Sequence, residues 1–280
     1  MPRIEMSDGA LLRVDDVGAG RPFLLAHGWA MAASLFAPLA EALAADHRVV
    51  APDLRGHAGS ASAKTVSLEM IAEDLATLAE RLDLQDVVAV GWSMGAMALW
   101  TASFARRVTA FVVVDMSPRI VNDSAWRLGL KDGRDLEETI AAADAMRADW
   151  PAAVRRFAPR IAAPDAGADL LLTLENVALE QDAVTMAGLW ESLARQDARA
   201  ALARLSAPTL AVYGEQSQLY DAASSRFVAE ASPNGRAVGF RHSGHAPHLE
   251  EPERFVATLL DFAAATSNAA APPRRVGSVH

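Results

Sequence analysis

Two kinds of hydrophobic pattern alternate along this chain. Short, largely apolar runs occur at residues 23–26, 48–51, 87–90, 110–114, 209–213 and 237–240. Runs of this kind are typical of strands that are buried on both faces of a parallel sheet. The segments between them carry apolar residues three or four positions apart, which is the period of an amphipathic helix. The alternation predicts an α/β protein whose mostly parallel sheet is covered by helices on both faces.

The clearest helix is predicted at residues 68–82. Its apolar face consists of Leu68, Ile71, Leu75, Leu78 and Leu82. Ser67 is the predicted N-cap, because a serine hydroxyl there accepts a hydrogen bond from a free amide of the first turn. Further helices are predicted at 34–45, 96–102 and 222–231 and from Pro252 onward, and a hairpin that turns at Asp8-Gly9 is predicted within residues 1–20.

The segment from 119 to 205 differs from the rest of the chain. It lacks strand-like apolar runs, is rich in Ala, Arg and Leu, and is interrupted by Pro151, Pro159 and Pro164. This pattern predicts an all-helical insertion between two strands of the sheet. The predicted organisation is a sheet domain formed by residues 1–118 and 206–268, the insertion at 119–205, and a disordered tail at 269–280.

Composition argues against several classes of function. A net charge of −9 over 280 residues disfavours a nucleic-acid partner, because binding a phosphate backbone requires a basic face. The chain contains no cysteine, so it has neither a thiol nucleophile nor a thiolate metal site. No run reaches the ~18 apolar residues of a membrane span, and the first residues lack the apolar core of a signal peptide. We therefore expect a cytoplasmic protein with no membrane partner.

The apolar run 87–90 leads directly into Gly91-Trp92-Ser93-Met94-Gly95, and a helix-forming segment follows. Strand, sharp turn and helix are the context in which G-x-S-x-G forms a nucleophile elbow. Such a turn lifts Ser93 Oγ above the sheet edge, and side chains at the two glycine positions would collide with neighbouring backbone. The alternative is a glycine-flanked serine in an ordinary strand–helix turn.

Three further motifs follow predicted strands. They are His27-Gly28-Trp29, Asp53-Leu54-Arg55-Gly56-His57, and Gly244-His245 with Pro252 downstream. Together with the Ser93 elbow, in this order and at this spacing, they make the chain resemble an α/β-hydrolase over roughly residues 4–265. The resemblance implies a serine hydrolase similar to small bacterial carboxylesterases. It also implies that residues 119–205 are the helical lid that this family inserts after the sixth strand.

The resemblance further assigns the reacting residues. Ser93 is the predicted nucleophile, and His245 is the predicted base, since a serine hydroxyl is a poor nucleophile without a positioned base. His242 and His248 flank His245 and are the alternatives to it. Both are otherwise expected to be loop histidines that cap, pack or face solvent.

The same resemblance places the oxyanion hole and the substrate. The oxyanion hole is expected to consist of the backbone N–H groups of Trp29 and Met94. His27 is expected to support the oxyanion loop by hydrogen bonding. The predicted substrate-binding residues are His27, Trp92, Trp126 and Trp190. For the tryptophans of the lid, the alternative role is to pack the lid onto the sheet domain.

The acid of the triad is where the chain departs from the family pattern. The strand at 209–213 is followed by Gly214-Glu215-Gln216-Ser217, so a serine occupies the position where an aspartate is expected. A serine orients an imidazole but does not neutralise an imidazolium, whereas a carboxylate does both. Asp115, directly after the strand at 110–114, is the favoured acid. Asp221 is the runner-up, Glu215 is a third candidate, and the alternative for Asp115 is a turn-capping role.

These residues together predict acyl transfer to water with no metal or organic cofactor. The expected substrate is a small-molecule ester, with lactones and thioesters as variations. Relatives implied by the resemblance include esterases that demethylate pimeloyl-carrier-protein esters and bind an acyl carrier protein through basic lid residues. A basic group of this kind is formed in the sequence by Arg147, Arg155, Arg156 and Arg160. The alternative is that these arginines form a solvated helix face.

Two functions of other classes stay open. A cofactor-free perhydrolase or haloperoxidase uses the same triad with hydrogen peroxide in place of water. A hydrolase-fold receptor binds a ligand with little turnover; Ser217 favours it, whereas the presence of both Ser93 and His245 opposes it. An aspartate at the elbow would indicate a dehalogenase or an epoxide hydrolase, so Ser93 argues against both.

Overall fold

The computed structural model describes residues 2–60, 65–103 and 105–269. Within these ranges, eight strands form a single sheet in the order β1-β2-β4-β3-β5-β6-β7-β8. The strands are β1 (Arg3–Glu5), β2 (Leu11–Val17), β3 (Pro22–Ala26), β4 (Arg48–Pro52), β5 (Val87–Trp92), β6 (Val108–Val114), β7 (Thr209–Gly214) and β8 (Arg236–Phe240). Strands β1 and β2 pair antiparallel with their neighbours, and β4, β3, β5, β6, β7 and β8 run parallel. The predicted mostly parallel sheet is therefore confirmed.

Helices cover the sheet in two separate groups. The helices of the described chain are α1 (Ala37–Leu43), α2 (Leu68–Arg81), α3 (Met94–Thr101), α4 (Leu136–Ala148), α5 (Trp150–Phe157), α6 (Ala168–Leu179), α7 (Ala183–Ala194), α8 (Arg199–Leu202), α9 (Ala222–Ala231), α10 (Pro247–Glu250) and α11 (Pro252–Ala269). Helices α1 and α11 pack against each other, and α2, α3, α8 and α9 form a contiguous second group. Every residue of β3 and β5 is buried between them, which explains their unbroken apolar character.

The local predictions hold with two adjustments. The hairpin β1–β2 forms, and the Ser67 hydroxyl caps α2 by accepting a hydrogen bond from Met70 N at 3.4 Å. The helix predicted at 34–45 is a 3₁₀ turn at Ala33–Phe36 followed by α1, which has a proline in its first turn. Helix α11 continues through Ala269, the first residue of the predicted disordered tail; the rest of that prediction, residues 270–280, lies outside the described residues.

All five helices α4–α8 lie between β6 and β7, and residues 119–205 contain no strand. We call this segment the helical insertion. Three of its helices begin with side-chain caps: Asp135 and Glu138 form a capping box at α4, and Asp149 and Asp182 cap α5 and α7. The described residues include no helix that is both long and apolar enough to cross a membrane.

Candidate active site

Ser93 occupies the turn between β5 and α3 with φ 53° and ψ −122°. This left-handed, strained backbone is enforced from both sides. A Cβ at Gly91 would collide with the backbone of Ala96, and a Cβ at Gly95 would collide with the carbonyl of Ala26. Only glycine fits at either position, so the pentapeptide forms the sharp turn that a nucleophile elbow requires.

Asp115 lies beside Ser93 because β5 and β6 are adjacent parallel strands. Trp92 and Val114 are register partners, and the amide of Ser93 donates to the carbonyl of Val114 at 3.0 Å. The residues that follow both strands therefore emerge at the same edge of the sheet. Asp115 also has a positive φ of 46°, and its amide donates to Val212 of β7 at 2.7 Å.

His245 and Asp115 form a buried hydrogen-bonded pair. His245 Nδ1 lies 2.7 Å from Asp115 Oδ2, and the two side chains are 3% and 1% exposed. Since a carboxylate oxygen accepts, Nδ1 is the nitrogen that donates in this contact, which leaves Nε2 as the nitrogen that can accept a proton. This tautomer is the one that a general base needs in order to take a proton from a serine.

Ser217, at the position where the family pattern expects the acid, donates to the same carboxylate. Its Oγ lies 2.6 Å from Asp115 Oδ2 and accepts from the amides of Leu219 and Tyr220 at 3.3 Å. Asp115 Oδ2 thus receives two donors. Among the described residues, the other oxygen, Oδ1, is buried and has no hydrogen-bond partner. The orientation of the carboxylate therefore depends on Oδ2.

The other two candidate acids lie away from the imidazole. The side chain of Asp221 is 69% exposed and faces Lys131 Nζ at 3.6 Å. Glu215 is exposed at the start of the loop that follows β7. Of the three carboxylates considered from the sequence, the structure brings Asp115 to His245.

The predicted oxyanion donors are two backbone amides beside Ser93. The amides of Trp29 and Met94 form no hydrogen bond with any other described residue. A Cβ on Gly28 would lie 3.4 Å from Ser93 Cβ, so the loop that carries Trp29 runs directly past the nucleophile. Unpaired amides next to a strained serine are the arrangement that stabilises a developing oxyanion.

Two buried histidines, His27 and His57, form hydrogen bonds that support the loop carrying Trp29. His27 Nε2 accepts from Leu54 N at 3.0 Å, and His57 Nε2 accepts from Ala30 N at 3.2 Å. Burial lowers the pKa of His27 to about 4 and that of His57 to about 3, so both rings are neutral at pH 7. His27, which was predicted to bind substrate, is fully buried and does not line the cavity, and both its nitrogens bond to backbone.

A cavity of about 540 Å³ opens above Ser93 and is enclosed by the helical insertion. Its apolar wall includes Trp29, Met146, Phe157, Trp190 and Tyr220, and its polar wall includes Arg134, Arg156, Arg160, Asp132 and Glu138. Trp92 and Trp190, two of the residues predicted to bind substrate, line the cavity. A mostly apolar chamber with a few polar groups is typical of a small-molecule site.

Trp126, which was predicted to bind substrate, does not line this cavity. Its ring packs edge-on against Phe227 at 5.0 Å, the guanidinium of Arg199 lies over it at 5.0 Å, and its Nε1 donates to the carbonyl of Arg119. The packing role considered as the alternative is the one that the structure shows.

His245 is the single histidine that lines the cavity in the described chain. His242 is exposed outside it. His248 is buried between Phe36 and Trp92, with ring centroids at 4.9 and 4.6 Å, and burial lowers its pKa to about 3. The indole of Trp92 donates to the backbone carbonyl of His245 at 2.8 Å, so the elbow itself supports the loop that carries the imidazole.

Sequence reasoning missed two contributors to the site. Tyr220 lines the cavity with its ring 5.8 Å from that of His245. Among the described residues, the one acceptor of its hydroxyl is the weak acceptor Met116 Sδ, at 3.4 Å. Arg134 was absent from the predicted basic group. Neither residue has a motif around it; they reach the cavity through the packing of the insertion on the sheet domain.

Fold and site together define an α/β-hydrolase. The alpha/beta hydrolase family model matches residues 23–258, and the chain therefore belongs to this family. A pimeloyl-[acyl-carrier protein] methyl ester esterase of Vibrio cholerae is 31% identical over 88% of this chain and 95% of that protein. A protein of the same description from Xanthomonas campestris is 29% identical over 91% of this chain and 99% of its own length. Within the family, this chain is an enzyme of the ester hydrolase class.

Solved structures show the same fold. An esterase from Exiguobacterium antarcticum has a TM-score of 0.86 at 22% identity and covers 94% of this chain and 98% of its own. The enol-lactonase from Burkholderia xenovorans has a TM-score of 0.80 at 22% identity, with 94% and 100% covered. At such identities the likeness concerns the arrangement of the chain, so the reaction has to be argued from the site.

Proposed function

We propose that this enzyme hydrolyses carboxylic esters by a Ser93–His245–Asp115 triad. The observation that carries the proposal is the buried 2.7 Å contact between His245 Nδ1 and Asp115 Oδ2, on the wall of the same cavity as Ser93. Among the described residues, Ser93 Oγ has no hydrogen-bond partner. We expect Ser93 Oγ to form its hydrogen bond with His245 Nε2 when substrate is bound, because catalytic hydrogen bonds commonly shorten in the substrate complex.

The proposed reaction has two steps. Ser93 Oγ attacks the ester carbonyl while His245 Nε2 takes the hydroxyl proton, and the proton passes to the alkoxy oxygen as the C–O bond breaks. Water, deprotonated by the same nitrogen, then attacks the acyl carbonyl, and the proton passes to Ser93 Oγ as the bond between Oγ and the acyl carbon breaks and the acid leaves. The amides of Trp29 and Met94 bind the oxyanion in both steps; such a donor typically contributes ~3 kcal/mol to the transition state.

The structure also bears on the receptor alternative. The one feature that favoured it was Ser217 at the expected acid position. Because this hydroxyl donates to Asp115 at 2.6 Å, it supports a carboxylate that already lies against His245. The serine therefore offers no support for a non-catalytic role.

For the natural substrate, we infer an ester carried by an acidic acyl carrier, as the names of the relatives from Vibrio and Xanthomonas suggest for those proteins. The helical insertion would act as the lid over the acyl chain. Arg156 is exposed, lines the cavity and forms no ion pair with a described residue. Arg134 and Arg160 line it too, but Asp132 offsets them at 3.2 and 3.7 Å. Of these three arginines, Arg156 is therefore the one without an ion-pair partner among the described residues.

The direct test of the esterase is hydrolysis of p-nitrophenyl esters from acetate to dodecanoate. We expect saturable turnover with a preference for a chain that fits the cavity of about 540 Å³. Parallel assays with hydrogen peroxide and a carboxylate separate perhydrolysis from hydrolysis. A folded protein that cleaves none of these esters and no carrier-bound methyl ester would contradict the proposal.

The carrier is tested by charge reversal at Arg156. We expect Arg156→Glu to lower kcat/KM for a methyl ester on acyl carrier protein by about tenfold or more, since a charge-assisted contact contributes ~1.5–3 kcal/mol. The same variant should change hydrolysis of free p-nitrophenyl butyrate less than about twofold, because exposed charges act weakly on a neutral ester.

Arg155→Glu is the matched control. Arg155 is the neighbouring exposed arginine of α5 but does not line the cavity, so it carries the same charge change away from the site. We expect nearly unchanged rates for both substrates. Equal losses on both substrates in Arg156→Glu, or equal carrier effects of the two variants, would remove the carrier from the proposal.

A further inference from the structure

Glu250 is a partly buried carboxylate that the proposed mechanism does not use. It ends α10, just past the loop that carries His245. Its Oε1 accepts from Ala163 N of the helical insertion at 2.6 Å. Its Oε2 accepts from Gly244 N at 2.8 Å and from Ala246 N at 3.3 Å, the residues on either side of the histidine. One carboxylate therefore joins the insertion to the loop of the proposed base.

The two segments also touch directly. The amide of His245 donates to the carbonyl of Ile161 at 2.8 Å. A Cβ on Gly244 would collide with the backbone between Ala162 and Ala163, so the two backbone segments are too close together for any side chain at position 244. The loop of His245 is consequently built against the insertion at residues 161–163.

We propose that Glu250 is a positioning residue that fixes His245 for proton transfer by tying its loop to the helical insertion. The inference rests on the proposed function, in which His245 is the base and then the acid. Proton transfer to a leaving group depends on the placement of the donor within a few tenths of an ångström. Because each carboxylate oxygen binds a different segment, the bridge needs both oxygens as acceptors.

Glutamine at position 250 separates the two halves of the bridge. A carboxamide has the same shape, but it has one accepting oxygen, and its NH₂ group opposes a backbone N–H. Whichever way the amide is turned, it keeps the bond to Ala163 or those to Gly244 and Ala246, and loses the other. Glu250→Asp keeps the charge, but its chain is one methylene too short to span both segments.

The readout is the dependence on the leaving group. A methoxide leaving group needs a proton from His245, whereas p-nitrophenolate departs without one. General acid–base catalysis contributes ~10²–10⁴-fold, so a displaced imidazole costs far more with the poorer leaving group. His245 also takes the proton of Ser93 with either ester, so we expect Glu250→Gln and Glu250→Asp to lower kcat/KM for both esters. We expect the loss for a methyl ester to exceed that for the p-nitrophenyl ester of the same acyl group by about tenfold or more, because only the methyl ester also needs a proton on its leaving group.

Glu251→Gln is the matched control. Glu251 accepts from His242 N and Ser243 Oγ of the same loop, at 2.9 and 2.7 Å; within the described part of the chain it forms no hydrogen bond with residues 161–163. We expect it to lower kcat equally for both esters, and less than threefold. Faster exchange of the Ala163 or Gly244 amide in Glu250→Gln would show that the bridge has opened.

The outcomes distinguish the two proposals. If the unaltered enzyme cleaves neither ester, the proposed function fails and the role of Glu250 fails with it. If the unaltered enzyme is active but Glu250→Gln loses both activities equally, or loses none, the positioning role alone is overturned. Full activity of Glu250→Asp would show that the negative charge at position 250 is sufficient without the bridge between the two segments, and would also overturn the positioning role.

Discussion

Replacement of Ser93 by alanine should abolish ester hydrolysis, with kcat reduced by about 10⁴-fold or more, because removal of a triad nucleophile leaves only binding and the oxyanion donors. The free energy of unfolding should change little, since Ser93 Oγ has no hydrogen-bond partner among the described residues and alanine adds no atom to the strained turn. The measurement is turnover of a p-nitrophenyl ester, with denaturant unfolding of both proteins.

Ser225→Ala controls for the loss of a hydroxyl. Ser225 Oγ is buried in α9 and, within the described chain, also lacks a partner, but the residue does not line the cavity. Its activity should match that of the unaltered enzyme. A fluorophosphonate should label the unaltered enzyme and Ser225→Ala at Ser93 and leave Ser93→Ala unlabelled. Residual turnover of Ser93→Ala near the original rate would disprove the nucleophile.

The elbow could be predicted because its determinants are adjacent in sequence. Gly91, Ser93 and Gly95 lie between a buried strand and a helix, and both collisions that exclude a side chain occur at the turn itself. The parallel direction of most strands could be predicted for a similar reason, because helices between consecutive apolar strands bring the carboxyl ends of those strands to one edge of the sheet.

The partner of His245 could not be decided in this way. Asp115, Asp221 and Glu215 all precede the histidine in the chain, so order alone does not separate them. The choice depends on contacts between residues 102 and 130 positions apart, Ser217 with Asp115 and Asp115 with His245. Side-chain direction is likewise not encoded in spacing: Trp126 and Trp190 were both predicted to bind substrate, yet only Trp190 faces the cavity.

The acid is tested by Asp115→Asn, for which we expect kcat to fall by about 10⁴-fold while KM changes little. Asparagine keeps the shape but has no charge to stabilise the imidazolium, and its amide favours the wrong tautomer of His245. Since Asp115 Oδ1 has no partner among the described residues, no other bond to that oxygen is broken. Asp221→Asn is the control, and its kcat should stay within about twofold of that of the unaltered enzyme, because the carboxylate of Asp221 is exposed and contacts only Lys131, at 3.6 Å, among the described residues. Near-normal turnover of Asp115→Asn would move the assignment to Asp221 or Glu215.

An exchange of Asp115 and Ser217 tests whether the acid of the triad has to follow β6 or can follow β7. Ser217 Oγ and His245 Nδ1 contact the same oxygen of Asp115, at 2.6 and 2.7 Å, so position 217 borders the carboxylate directly. An aspartate there reaches farther than serine toward the imidazole. We therefore expect the double variant Asp115→Ser with Ser217→Asp to recover about 10²-fold of the activity lost in Asp115→Asn. The single variant Ser217→Asp should instead be destabilised, because it buries two carboxylates side by side with one imidazole to share. If the double variant recovers activity, the triad needs a carboxylate beside His245 Nδ1 but accepts that carboxylate from the end of either β6 or β7. If the double variant is folded but no faster than Asp115→Asn, the carboxylate has to stand at the position that follows β6.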